Sequence, residues 1–281
     1  MLNMMIDPKG KPYEVSVLDS SGNPVIDRAA VKAVDKMTFQ PADRAGTPID
    51  SSLTFKMVFT QELPKGASRE FISTIKRFDE AIQAGDRAAA DAQLAKLTAQ
   101  NLYEDAYKGY GQYRYDLKWG TEADQLKDLR RAIAGEKNDH YLSRALFADA
   151  LTAKFALEVR SKDYGSALDT WETLRPIVPD ELASALQRTV YEINALKNSH
   201  ETLRLPAQIG PGTSWHGNLF RRRFSLSITR GAVSEIKLRC KKQYVFFRFE
   251  PDIEYTVNSG AGDCLIEVVG DPGTIFELSQ S

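Results

Sequence analysis

Cysteine is nearly absent from this chain of 281 residues: there are two, Cys240 and Cys264. That count excludes a disulfide-dense scaffold and a zinc site built from four thiolates. Histidine is almost as scarce, and His140, His200 and His216 stand far apart in sequence, outside any His-x3-His spacing. No metal site is expected, because zinc ligation draws on clustered His and Cys. No apolar run approaches the ~18–20 residues needed to span a bilayer, and Met1–Gly10 lacks the basic start and apolar core of a signal peptide. Neither charge sign dominates: 37 Lys and Arg stand against 38 Asp and Glu. The balance gives no electrostatic reason to expect nucleic acid or anionic membrane as partner. Missing too are the Gly-x-Ser-x-Gly elbow, the phosphate-cradling P-loop and the Gly-x-Gly-x-x-Gly turn. Adjacent acidic pairs such as Asp79-Glu80 and Glu104-Asp105 read as solvated helix faces. A soluble multi-domain protein is expected, with neither catalysis nor a cofactor.

What is present falls into three periodicities. Over residues 1–63, Leu2, Met4 and Ile6 alternate, Asp7-Pro8-Lys9-Gly10 supplies a turn, and Tyr13, Val15 and Val17 resume the alternation. Asp27 is placed as the N-cap of a helix carrying Ala30, Val31, Val34 and Met37. Leu53, Phe55, Met57 and Phe59 alternate with Thr54, Lys56 and Val58 as a last strand. This predicts a small α+β unit with one helix on the apolar face of two or three strands.

Its motifs carry a family resemblance. Ile6-Asp7-Pro8-Lys9-Gly10-Lys11-Pro12, Ser20-Ser21-Gly22-Asn23-Pro24, Asp27-Arg28-Ala29-Ala30, Phe39-Gln40-Pro41-Ala42 and Gly46-Thr47-Pro48 closely resemble, in order and spacing, the C-terminal domain of the TonB family. The resemblance implies a non-catalytic interaction domain of the Gram-negative periplasm. Its sheet edge would capture a segment of an envelope protein, such as a TonB-dependent receptor. The strand Leu53–Phe59, comprising Leu53, Thr54, Phe55, Lys56, Met57, Val58 and Phe59, is the edge expected here. The family carries a Tyr-Pro element and a short helix before the first strand, whereas this sequence begins within that strand. Either the domain is truncated or the start lies upstream of Met1. Force transduction also needs an inner-membrane anchor and a long Pro-rich linker; the sequence shows neither, so an accessory or adaptor role is expected. The other reading is a cell-envelope scaffold working through the segment that follows.

Residues 64–199 have helical spacing. Gly85-Asp86, Gly120-Thr121 and Lys162-Asp163 each precede a stretch with small or apolar residues at offsets suited to one helix face. The first two turns are 35 residues apart. The pattern resembles the tetratricopeptide repeat, best over Ala148–Glu181, with Asp180–Asn198 as a capping helix. Aromatics crowd the second repeat: Tyr110 fits the packing pattern loosely, whereas Tyr103, Tyr107, Tyr113, Tyr115 and Trp119 exceed what repeat packing needs. Most are expected in the core, and Tyr107 and Tyr113 are the candidates for a peptide-binding groove.

Residues 200–281 return to period two, with Phe224/Leu226/Ile228, Ile236/Leu238/Cys240, Cys264/Ile266/Val268 and Phe276/Leu278 on inner faces. A small antiparallel β-sandwich is expected. Nine basic residues and one acid fill Arg221–Arg248, and seven acids with no base follow over Phe249–Ser281. Cross-strand pairing of the two blocks accounts for this better than a protein-binding basic patch does, and a nucleic-acid patch is the weakest reading. The residues alone leave Cys240 and Cys264 open between a bridge and two buried thiols. The oxidising periplasm that the resemblance implies favours the bridge.

Overall fold

A computed structural model of the protein describes residues 1–18, 20, 24–57, 66–134, 141–197 and 199–281. The architecture is α+β and multi-domain: a small strand-and-helix domain, a helical middle, and a C-terminal antiparallel sandwich. The chain packs as two compact units. One comprises residues 1–57, 161–165 and 188–281, the other residues 58–160 and 166–187.

The first unit begins with β1 (Leu2–Ile6), β2 (Pro12–Val17) and helix α1 (Pro24–Val34). A short hairpin of β3 (Ala42–Arg44) and β4 (Thr47–Ile49) follows, then β5 (Ser51–Phe55). The three longer strands form an antiparallel sheet in the order β2-β1-β5. Leu2, Met4 and Ile6 meet Ala30 and Val34 of α1, so the expected apolar alternation makes this core. The helix differs at its start. It begins at Pro24, so Asp27 sits in its first turn rather than capping it. Proline's fixed φ and missing N–H suit the first helical position. The hairpin turn has positive φ at Ala45 and Gly46. Two such residues give the primed turn that matches strand twist.

In the second unit, α2 (Arg69–Ala84) and α3 (Arg87–Leu94), then α4 (Leu102–Trp119) and α5 (Glu122–Ile133), and then α6 (Arg144–Arg160) and α7 (Tyr164–Leu174) follow in pairs. Each turn lies where the sequence placed it. Gly85 takes φ +73° as a left-handed cap, and Asp86 accepts from the Ala89 N–H as the next N-cap. Thr121 and Asp124 form a reciprocal capping box. Helix α8 (Asp180–Lys197) follows; its residues 180–187 belong to this unit and 188–197 to the first.

The sandwich comprises β6 (Leu203–Gln208), β7 (Ser214–Leu219), β8 (Arg223–Arg230), β9 (Val233–Cys240), β10 (Gln243–Arg248), β11 (Tyr255–Thr256), β12 (Cys264–Gly270) and β13 (Ile275–Gln280). Its sheets have the orders β10-β9-β12-β7 and β11-β8-β13-β6. Ile236, Leu238, Ile266 and Val268 of the first sheet share one core with Phe224, Leu226, Phe276 and Leu278 of the second. The Cα partners Cys240 and Cys264 on β9 and β12 are joined by a disulfide. The two charge blocks do pair: Arg239 with Glu267 across β9 and β12, and at or just beyond strand ends Lys241 with Asp263 at 2.6 Å and Arg223 with Glu254 at 3.8 Å. Glu277 instead pairs with Arg204, at 2.9 Å, outside the basic block.

Candidate functional site: a free sheet edge

Strand β1 is buried on both faces. Leu2, Met4 and Ile6 face α1, while the intervening Asn3 and Met5 are buried opposite. Asn3 Nδ2 donates to Ser52 Oγ at 3.1 Å and Thr54 Oγ1 at 2.6 Å. On its helix side β5 packs Leu53 and Phe55, followed by Met57, against the same core, and Phe39 meets Phe55 edge to face. Both faces of β5 are therefore pinned, which fixes the direction of its backbone groups. Its outer edge pairs with no other strand among the described residues.

The opposite edge, β2, is built differently. The register shift between Asn3 and Met5 sets an extra residue into β2, and Glu14 there has φ +49°. Such a bulge rotates the local backbone. The Glu14 carbonyl accepts from Arg239 Nε and Nη2, and its carboxylate meets Lys237 Nζ at 3.2 Å. Arg239 also donates to the Glu267 carboxylate, and its side chain is only 1% exposed. Beside this network Tyr13 meets Tyr244 edge to face. Burial, then the Glu14 charge, holds the Tyr244 phenol well above its ordinary range. Thus β2 carries a leading proline, a bulge and an ion network, three devices that stop an edge from accepting a strand. Ser51-Ser52-Leu53-Thr54-Phe55 has none of them.

Of the residues expected at the edge, Leu53, Thr54 and Phe55 lie in β5, Lys56 and Met57 follow it, and Val58 and Phe59 fall outside the described residues. Tyr107 and Tyr113 are in the helical unit, on α4. Tyr107 is half-buried, its ring tilted against that of Tyr103 with the centres 4.8 Å apart. Tyr113 is a core residue against Leu129, Ala150 and Leu157, at 8% exposure. Asn3, Glu14 and Arg239 were not foreseen. Met5, apolar on the face that alternation assigns to solvent, was the available hint of a second buried face. No cluster of three or more His, Cys, Asp or Glu able to hold a metal occurs among the described residues. No helix among them is long and apolar enough to cross a membrane.

The small domain is thus a three-stranded sheet with one helix, in which β2 is held by its bulge and ion network and β5 pairs with β1 alone among the described residues. Residues 1–60 match the family model for the Gram-negative bacterial TonB protein C-terminal, 60 of the 281 residues. Neither a curated protein nor a solved structure matches the chain.

Proposed function

We propose that the protein is a periplasmic, non-catalytic adaptor of the TonB transport system that captures an extended segment of an envelope protein, a TonB-dependent receptor for example. The segment would add to β5 as a further antiparallel or parallel strand. Main-chain hydrogen bonds supply affinity in such augmentation, and alternate side chains supply selectivity. The observation that carries this reading is the asymmetry of the sheet: β2 is closed by its bulge and by Arg239, whereas β5 presents an uncharged, proline-free edge. The helical hairpins, read as tetratricopeptide-like repeats, would add a second protein-binding surface beside the Tyr103–Tyr107 pair.

The test uses a synthetic receptor peptide and the isotope-labelled full chain. Amides of residues 51–57 should shift saturably. A second peptide, N-methylated at alternate backbone positions, should lose binding because its side chains remain but its donors do not. Equal binding of both peptides would refute augmentation.

A scaffold that works through its helices is favoured by one observation, the half-buried Tyr103–Tyr107 ring pair. Alanine at Tyr107 should then abolish partner capture while edge-directed peptides have no effect. Point variants separate the two readings better than deletion does, since residues 1–57 share a compact unit with 188–281.

A further inference from the structure

Arg221 is a buried cation that makes no ion pair among the described residues. It is 7% exposed, and its Nη atoms donate to the backbone carbonyls of Glu201, Leu196 and Gln280 and to Ser199 Oγ. All of these acceptors are neutral, and Nε has no acceptor among the described residues. Guanidinium does not deprotonate in proteins, so the site cannot escape by losing its proton. Buried charges are ordinarily paired, and an unpaired one is costly.

The same residue lines a depression with roughly 340 Å³ of free space open to solvent. Lys197 and Arg222, both exposed, line it as well, with Phe220 and Gly262 between the polar groups. Arg222 spends one donor on the Asn258 carbonyl at 2.8 Å, and the Lys197 ammonium lies 5.9 Å from the centre of the Phe220 ring. Asp263 is the carboxylate of the lining, and Lys241 from outside it takes Asp263 Oδ2 at 2.6 Å. Three cations against one already engaged carboxylate leave the lining with a net charge of +2.

We propose that this depression is an anion site for a single carboxylate- or phosphate-type group, held by Lys197 and Arg222 and stabilised by the buried charge of Arg221. Arg forks and Lys ammonium groups are the usual ligands of such oxyanions. The site lies on the sandwich and does not depend on the β5 edge.

Titration of the labelled full chain with sodium phosphate, and separately with sodium acetate, tests it at ionic strength fixed with sodium chloride. Saturable shifts should appear at Leu219–Arg222 and Gly262–Cys264, with a Kd on the order of 1 mM for at least one anion. Saturation by phosphate alone assigns a phosphoryl ligand; saturation by acetate assigns a carboxylate, such as a chain terminus. Arg222→Gln and Lys197→Gln should each weaken binding about tenfold, the loss of one charge-assisted hydrogen bond, at an unchanged thermal midpoint. Asp263→Asn should tighten it. Non-saturating shifts with both anions, or Gln variants that bind as well as the parent, would overturn the proposal.

Discussion

The guanidinium of Arg239 grips the backbone carbonyl of Glu14 with two donors, Nη2 at 3.1 Å and Nε at 3.3 Å. The contact joins residues 225 positions apart and needs Glu14 to hold its left-handed φ. A side chain thereby ties the bulged strand β2 to β9, and the Glu267 and Glu14 carboxylates neutralise it. The bulge is thus fixed from outside its own sheet.

Arg239→Met should accordingly cost about 3–5 kcal/mol, because it strands Glu267 in a buried site without its cation. Adding Glu267→Leu should recover most of that loss. Glu14→Gln should cost less, about 1 kcal/mol, since the carbonyl that Arg239 holds is retained and only the ion pairs of the partly exposed Glu14 carboxylate are lost. Urea unfolding of the three variants checks the order. A double variant as unstable as Arg239→Met would show that the network is not what the arginine supports.

The Cys240–Cys264 bridge spans a sequence separation of 24 and links the two central strands of one sheet. On the loop-entropy account, closing a loop of this length contributes about 3.5 kcal/mol. Reduction, or the paired substitution Cys240→Ser with Cys264→Ser, should lower the urea midpoint correspondingly. The sandwich core of Ile236, Leu238, Ile266 and Val268 should keep it folded in dilute buffer. Equal midpoints with and without reductant would contradict the bridge's contribution.

The parts of this fold legible in sequence are those governed by neighbours in the chain. The turns at Gly85-Asp86 and Gly120-Thr121 could be placed because a left-handed glycine and side-chain caps act over three or four residues. Strict alternation gave the inner faces of β9 and β12 because side-chain period in a strand is two. The strand at Leu53–Phe55 was readable for the same reason. What alternation could not show is that β1 has no solvent face. Asn3 and Met5 are buried by partners far along the chain, and the Glu14 bulge breaks the period in which Tyr13, Val15 and Val17 were read. Capping logic also erred at α1, where Pro24 starts the helix three residues before the acidic side chain that looked like its cap. The strand β5 was therefore findable from sequence, but the bulge and the arginine that hold β2 at the other side of the sheet were not.

Helices α4 and α5 approach closely at Gly109. A Cβ placed there would lie 2.9 Å from the backbone nitrogen of Ala132 and 3.1 Å from the carbonyl oxygen of Asp128. Alanine is the better helix former by about 1 kcal/mol. Forcing a methyl into a packed contact costs about 1–3 kcal/mol, and the obstructing atoms are backbone, which cannot rotate away. Gly109→Ala should therefore destabilise the helical unit despite its propensity. A raised thermal midpoint would show that the two helices can separate freely.

Asp128 on α5 and Asp116 on α4 form a hydrogen-bonded carboxyl pair. Burial, first, and then Asp116 raise the Asp128 carboxyl from 3.8 to about 7, against the smaller pull of Lys127 and Arg131. Asp116 is also raised, chiefly by burial. The folded helices therefore bind a proton more tightly than the unfolded chain does. The stabilisation from this proton is complete below about pH 4 and is lost as pH rises towards 7, with a slope of at most about 1.4 kcal/mol per pH unit. The sign is opposite to that of a carboxylate in an ion pair, which stabilises as pH rises. Asp128→Asn keeps a donor for Asp116 without titrating, so it should flatten this part of the profile and leave the variant more stable than the parent at pH 8. Urea denaturation at half-unit steps from pH 4.5 to 8 measures both curves. Parallel curves would mean that the pair holds no proton across that range.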